Sequence, residues 1–267
     1  MFKPYNCLIL SNYTSKTKPM KLKFILTLLV SACILTASAQ RPAADHETTK
    51  GGELTIQPIN HASMVLTYQH KNIYVDPVGG ADAFKGEPAP DMILITDIHG
   101  DHLDPKTIDA VNTKHAILVV PQAVADKLPN ADKANLVILK NGESTSKLNI
   151  AIAAIPMYNL PESPTAFHTR GRGNGYVLTI GGKKVYISGD TSDIPEMRSL
   201  KGIDIAFVCM NLPYTMDVKT AAGGVLAFKP KVVYPYHYKG QNTNEFKKLV
   251  NAGDKNIDVR LRDWYAK

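Results

Sequence analysis

Met92-Ile93-Leu94-Ile95-Thr96-Asp97-Ile98-His99-Gly100-Asp101-His102 passes from a purely apolar run to a dense cluster of acidic and imidazole side chains. Four consecutive apolar residues fit a strand buried on both faces. In extended backbone, side chains two apart point the same way, so Asp97 and His99 project together beyond the strand end. Gly100 permits a sharp turn, after which Asp101 and His102 can face the same space. Oxygen and nitrogen donors of this kind suit Zn2+, Mn2+ or Fe better than a thiolate-seeking metal. The plainer alternative is a helix-entry loop in which Asp and His act as local caps, and two of each at this density exceed what caps require.

Residues 54–59, 63–68 and 71–75 on the N-terminal side read as strands, the last two joined at Gln69-His70, which makes an antiparallel meander. On the C-terminal side, Asp104-Pro105 reads as an N-cap followed by proline at the first helical position, predicting a helix to Asn112. Strand-like and helix-like segments then alternate: strand 116–120, helix 122–128, strand 136–139 and a strand pair within 144–156. A hairpin follows, 175–180 with 184–188, turning at Gly181-Gly182. Helix 195–200, strand 203–209, helix 218–228, strand 231–236, helix 243–251 and a last strand near 257–261 complete the series. The sequence shows no internal repeat. An all-strand opening followed by alternation predicts an α/β protein with mixed sheets and helices on their outer faces.

The formal charge of +7 is concentrated at one end. Lys3, Lys16, Lys18, Lys21 and Lys23 lie in residues 1–39, which contain no Asp or Glu. The body is therefore close to neutral and gives no electrostatic reason to expect a nucleic-acid partner. Cys7 and Cys33 fall in the same leader, so Cys209 alone remains in the body and neither a disulfide framework nor a cysteine zinc knot can form there. The apolar run 24–36, preceded by Lys21 and Lys23, is too short for a membrane anchor and suits a signal peptide starting at Met20. Ala37-Ser38-Ala39 supplies a small-residue cleavage pattern, leaving Gln40 as the new terminus. Val30-Ser31-Ala32-Cys33 offers a rival, a lipoprotein cut with anchoring at Cys33. The expected organisation is a leader over 1–39, a polar linker over 40–52 and one domain over 53–267. The product is expected to be exported, periplasmic or extracellular, and free of the membrane unless lipidated.

No Gly-x-Ser-x-Gly elbow, Walker motif or complete dinucleotide glycine motif occurs, which disfavours serine-triad hydrolysis and nucleotide binding. The segment 159–174 is rich in Pro, Gly and polar residues and reads as a long, functional loop. Within and just beyond it, Arg170-Gly171-Arg172-Gly173-Asn174-Gly175 could cradle an anion, with a solvated hairpin entry as the alternative. The loop from Asn211 to Met216 could wall a pocket or belong to the core.

In order along the chain, Asn60-His61-Ala62-Ser63, Asp76-Pro77, the Asp97-x-His99-x-Asp101-His102 cluster, Ser188-Gly189-Asp190-Thr191 and Tyr234-Pro235-Tyr236-His237-Tyr238 resemble the metallo-β-lactamase superfamily. Its hallmark is His-x-His-x-Asp-His after a core strand. The nearest likeness is to its lactonase-like hydrolases of the L-ascorbate-6-phosphate lactonase type. That resemblance implies a four-layer αββα sandwich with two divalent metals, zinc first and manganese or iron as alternatives, held at one edge of the sheets. It implies Asp97, His99 and His168 at the first metal, Asp101, His102 and His237 at the second, and Asp190 bridging. Asp97, Asp101 and Asp190 would be the catalytic carboxylates. His61, Asp76, Asn159 and Tyr236, with Arg170 and Arg172, would support the metals or contact substrate.

Two features depart from the pattern. Asp97 stands where the hallmark has its first histidine. Pro156-Met157-Tyr158-Asn159 lacks the histidine that related sequences often place there, leaving His168 as the nearest replacement. The implied activity is hydrolysis of a small-molecule ester, lactone, amide or phosphoester by a metal-activated hydroxide. The competing functions are a catalytically impaired metal-binding or sensing module, with Asp97 as the disabling change, and redox chemistry at a di-iron version of the site.

Overall fold

The structure is a computed structural model describing residues 41–114, 116–129 and 135–266. The leader, its cleavage site and Cys33 lie outside the described residues.

The described strands form two seven-stranded sheets, each with its strands in chain order. The first contains β1 (Asp45–Thr49), β2 (Gly52–Asn60), β3 (Ser63–Tyr68), β4 (Lys71–Val75), β5 (Met92–Leu94), β6 (Ile117–Val120) and β7 (Leu136–Ile138). The second contains β8 (Ser144–Lys147), β9 (Ile150–Met157), β10 (Gly173–Ile180), β11 (Lys183–Ile187), β12 (Ile205–Cys209), β13 (Val232–Tyr236) and β14 (Asp258–Val259). In both, the first four strands pair antiparallel and the pairings from the fourth strand onward are parallel. The halves thus share a topology that no sequence repeat announced. Two hydrophobic patterns can specify one backbone plan without sharing residues.

Burial follows the two-residue period of a strand covered on both faces. Ile73, Val75, Met92, Leu94 and Val119 join the core shared with Ile152, Ala154, Tyr176 and Leu178 of the second sheet. Their neighbours Tyr74, Ile93, Leu118 and Val120 face a separate core with Ile108, Val111 and Val124. Those last three lie on α2 (Pro105–Val111) and α3 (Gln122–Lys127), which cover the first sheet. A short α1 (Gly80–Ala83) packs near α2. On the second sheet, α4 (Pro195–Arg198), α5 (Val218–Phe228) and α6 (Thr243–Gly253) form the other outer layer. The result is the four-layer sandwich expected from the resemblance.

Helix α2 starts as the sequence predicts, with Pro105 at its first turn and the Asp104 side chain accepting from the Lys106 amide at 3.1 Å. The stretch expected to be linker contains a strand. β1 pairs with β2 along its full length and buries Glu47, whose carboxylate bonds Lys183 and Arg260 at 2.6 Å each. Polar composition misleads here because the strand is held by backbone bonds and ion pairs instead of an apolar face. The long loop is also shorter than predicted, since β10 already begins at Gly173 and the Asn174 amide bonds the Thr96 carbonyl at 2.9 Å.

Because β4 and β5 run parallel in one sheet, and β11, β12 and β13 in the other, their C-terminal ends release loops along shared edges. Asp76, the Thr96–His102 segment, Asp190, Asn211 and His237 all lie just past those ends. Such strand ends are where open α/β sheets bind ligands.

Candidate metal centre

Three residues of this edge have left-handed backbones that side chains rarely adopt: His61 (φ 55°), Asp76 (φ 44°) and His237 (φ 47°). Each follows a strand, and the conformation turns the chain abruptly so that the side chain aims inward. Such geometry costs on the order of 1 kcal/mol or more per residue and persists where surrounding structure enforces it, often at functional sites. Two main-chain bonds help to do so here, from the His237 amide to the His61 carbonyl at 3.2 Å and from the His61 amide to the Trp264 carbonyl at 3.0 Å. Gly189 (φ 59°) performs a related service before Asp190, since its left-handed backbone disfavours any side chain and a Cβ there would run into Met157.

All seven residues predicted to ligate metal converge. Asp97 Oδ2 lies 2.9 Å from His99 Nδ1 and 3.7 Å from His168 Nε2, and the two imidazole nitrogens are 3.1 Å apart. A second group joins His102, Asp190 and His237, with His102 Nε2 3.3 Å from Asp190 Oδ2 and His237 Nε2 3.4 Å from Asp190 Oδ1. Asp190 Oδ2 also sits 3.3 Å from His168 Nε2, so this carboxylate faces both groups. Asp101 Oδ2 is 3.4 Å from His237 Nε2 and 3.0 Å from His61 Nε2, which places His61 at the edge of the second group. Each set offers donor atoms spaced as ligands of one ion.

Polar atoms left over inside the protein test whether a cation fits. His102 Nε2, His237 Nε2 and Asp190 Oδ1 are buried and have no hydrogen-bond partner, although each lies within 3.4 Å of another atom of the cluster. Burying such atoms unsatisfied costs about 1–3 kcal/mol each, and a shared cation removes that cost. The charges agree with the geometry. Burial would raise Asp190 and Asp101, yet the surrounding imidazoles hold both carboxyls well below the usual range. Burial would lower His102, but the carboxylates of Asp190 and Asp76 push it up. His168 is brought down to about 4, chiefly by burial, and is a neutral imidazole at physiological pH.

A supporting layer aims these donors. The Asp76 carboxylate accepts from the Thr96 amide and hydroxyl at 2.7 Å each and lies 2.9 Å from His102 Nδ1, leaving His102 Nε2 for the cluster. Asn159 Oδ1 accepts the His168 amide at 2.8 Å and lies 3.2 Å from its Nδ1. Asn159 is therefore a holder of His168 and not its substitute. Asn211 Nδ2 is 3.4 Å from His237 Nδ1, and the Tyr265 hydroxyl is 2.6 Å from His61 Nδ1.

The other residues expected to support the centre or meet substrate are all engaged within the protein. The guanidinium of Arg170 does not wait for an anion: it bonds Glu162 and Glu196, stacks on Tyr158 and contacts that hydroxyl. Arg172 is likewise engaged, through Nε and Nη2 to the two oxygens of Asp97 at 3.1 and 2.9 Å. Both cations are compensated within the protein, which removes the free charge that an anion cradle would offer. Tyr236 is a core residue whose hydroxyl accepts the Gly189 amide at 3.0 Å, touching the site through the backbone beside Asp190. Gly100 does not have a left-handed backbone, and the turn closes through the His102 and Leu103 amides on the His99 carbonyl. Tyr265, Thr96 and Asn211 were not foreseen as holders of the site. Asn211 and Thr96 border singled-out motifs, whereas Tyr265 gives no local signal at all.

The centre opens into a cavity of about 1340 Å3. His61, His99, Asp101, His168 and Asp190 form part of its wall, and Phe167 and Tyr214 stand beside them as an edge-to-face pair with centroids 5.0 Å apart. Tyr214 thus bears out the wall reading of its loop, while Met216 belongs to the core.

A family profile described as β-lactamase superfamily domain matches residues 55–237. A protein of Thermococcus onnurineus described as a UPF0173 metal-dependent hydrolase is 32% identical over 210 residues, covering 74% of this chain and 91% of that one. A solved structure from Parabacteroides distasonis, described as a metal-dependent hydrolase, is 43% identical with a TM-score of 0.76, covering 83% of this chain and 99% of that one. The metallo hydrolase Igni18 of Ignicoccus hospitalis shares the fold, with a TM-score of 0.65 at 21% identity over 78% of this chain and 94% of its own. These names support the superfamily and leave the lactonase branch as an expectation.

Proposed function

Since this chain belongs to the β-lactamase superfamily and is a metal-dependent hydrolase of that fold, we propose that it is an exported enzyme cleaving a small-molecule ester, lactone, amide or phosphoester at a centre of two divalent ions. One observation carries the metal centre: His102 Nε2, His237 Nε2 and Asp190 Oδ1, buried and without hydrogen bonds, gathered in one place. Asp97, His99 and His168 would hold one ion and Asp101, His102 and His237 the other, with Asp190 between them. Zinc is the first choice for these donors, and manganese or iron suits the carboxylate-rich set. Such ions supply Lewis acidity and bring the pKa of a coordinated water towards neutrality.

The chain's own residues do the rest. Asp76 and Asn159 fix which nitrogen of His102 and His168 faces the centre. His61, held by Tyr265, steadies Asp101 at the cavity wall. Phe167 and Tyr214 offer an apolar face to whatever lies beside the scissile group. Export is supported by the basic and then apolar leader ending at Ala37-Ser38-Ala39.

The test is elemental analysis of the chain purified from Gln40, followed by assays on generic esters and phosphodiesters with and without chelator. Stoichiometric metal and chelator-sensitive turnover, both lost in His99→Ala/His102→Ala, are expected. Metal below about a tenth of an equivalent would refute the centre. The N-terminal mass of the protein in its native host checks export, with Gln40 expected and a diacylated Cys33 overturning it.

A further inference from the structure

The position where the hallmark of this superfamily has a neutral histidine holds Asp97, fully buried, and its carboxylate is gripped on both oxygens by one guanidinium. We propose that Asp97 and Arg172 act as a single unit replacing that histidine: the carboxylate donates an oxygen to the first metal, while Arg172 is a positioning residue that cancels its charge and fixes its direction. The inference rests on the metal-centre reading above and specifies how its altered half works.

Four observations carry it. Donors around a four-coordinate ion at about 2.0–2.1 Å stand about 3.3 Å apart. The separations among Asp97 Oδ2, His99 Nδ1 and His168 Nε2, at 2.9, 3.1 and 3.7 Å, bracket that value, so the oxygen occupies a ligand's place. Arg172 holds both oxygens of the same carboxylate, with Nε on Oδ1 and Nη2 on Oδ2, a bidentate fork that sets the carboxylate plane. Carboxylate and guanidinium together carry no net charge, as a neutral imidazole carries none.

The backbone is shaped for the pairing as well. A Cβ on Gly173 would lie 2.8 Å from the Thr96 carbonyl oxygen and 3.2 Å from Asp97 Oδ1. Only a bare residue there lets the start of β10, just after Arg172, close on the segment carrying Asp97, and the bond from the Asn174 amide to Thr96 locks the approach. Asp97 is therefore a working ligand with its own counter-ion, and restoring histidine alone should damage the site. Asp97→His strands the Arg172 guanidinium, only 20% exposed, beside the metal without its carboxylate.

The experiment measures Zn2+ bound per chain by elemental analysis after dialysis at buffered free Zn2+, for the wild type, Asp97→His, Arg172→Met and the double variant. The wild type is expected to take up two equivalents. Asp97→His should keep the equivalent held by His102, Asp190 and His237 and weaken the one held with His99 and His168 at least tenfold, and the added Arg172→Met should restore that one to within about threefold of wild type. Should Asp97→His fail to fold, as judged by loss of both equivalents, Arg172→Met decides alone. Freeing the carboxylate's charge and direction should shift the affinity of the equivalent held with His99 and His168 at least tenfold, and an unchanged affinity overturns the proposal. A single equivalent in the wild type, an undamaged Asp97→His, or a double variant no better than the single also overturns it. A wild type that takes up no metal sinks the metal centre itself, a result distinct from two equivalents with additive substitutions, which sinks only the pair.

Discussion

Asp76 Oδ2 lies 2.9 Å from His102 Nδ1, joining two fully buried side chains from the ends of neighbouring parallel strands. The same carboxylate is tied to the Thr96 amide and hydroxyl, so the imidazole cannot rotate without breaking a buried network. Its other nitrogen is one of the atoms left without a partner in the cluster. A carboxylate behind a histidine fixes the tautomer and raises ligand basicity.

Asp76→Asn should therefore weaken metal binding about 10- to 100-fold while leaving the fold intact. Chelator competition measures the change, and unaltered affinity would remove Asp76 from the machinery.

Metal should stabilise the protein strongly, because the unfolded chain lacks the converged donors. A ligand at about 1,000 times its Kd adds about 4 kcal/mol. Thermal unfolding with Zn2+ and then with excess chelator reads this, with a lower Tm expected after chelation. Asp190→Asn should shrink the difference more than loss of any one histidine, since Asp190 faces both groups.

Glu47 links β1 to the second sheet through Lys183 and Arg260. Burial would raise its carboxyl, but the two cations hold it below the ordinary 4.5. A carboxyl depressed on folding contributes stability above its unfolded value, and that contribution disappears as pH falls through the folded one. Glu47→Gln should cost about 1–3 kcal/mol at pH 7 and progressively less as pH falls below 4.5. Urea unfolding at pH 7 and pH 3 separates the two regimes, and a pH-independent deficit would contradict the ion-pair account.

Phe167 and Tyr214 are half exposed, pack on one another and border the centre without touching its carboxylates. Replacing either with alanine should raise KM for aryl-bearing substrates about 3- to 10-fold with kcat nearly unchanged, because an apolar wall binds ground and transition states alike. Equal effects on kcat would mean that the wall helps to position the reacting group.

The layers were legible in the chain because apolar periodicity and helix caps act over a few residues. The run 92–95 revealed a strand buried on both faces, and Asp104-Pro105 revealed the start of α2. The converging donors other than His168 were legible through the dense 97–102 cluster and the motifs around Asp190 and His237. β1 was not, since its burial comes from Glu47 and its partner cations instead of an apolar stripe. The roles of Arg170 and Arg172 were not either, because a guanidinium in a glycine-rich loop looks the same whether or not a carboxylate awaits it.

By itself, then, the sequence determined the kinds of donor, the order of the strands and helices after β1 apart from the short α1, and the superfamily they resemble. Only the tertiary structure decided that Arg172 would meet Asp97 across 75 positions, that Tyr265 would reach back 204 to His61, and which nitrogen of each imidazole would turn inward. The reason is physical: periodicity and capping are local free-energy preferences, whereas these pairings exist only once two sheets have packed and closed the distances that the chain leaves open.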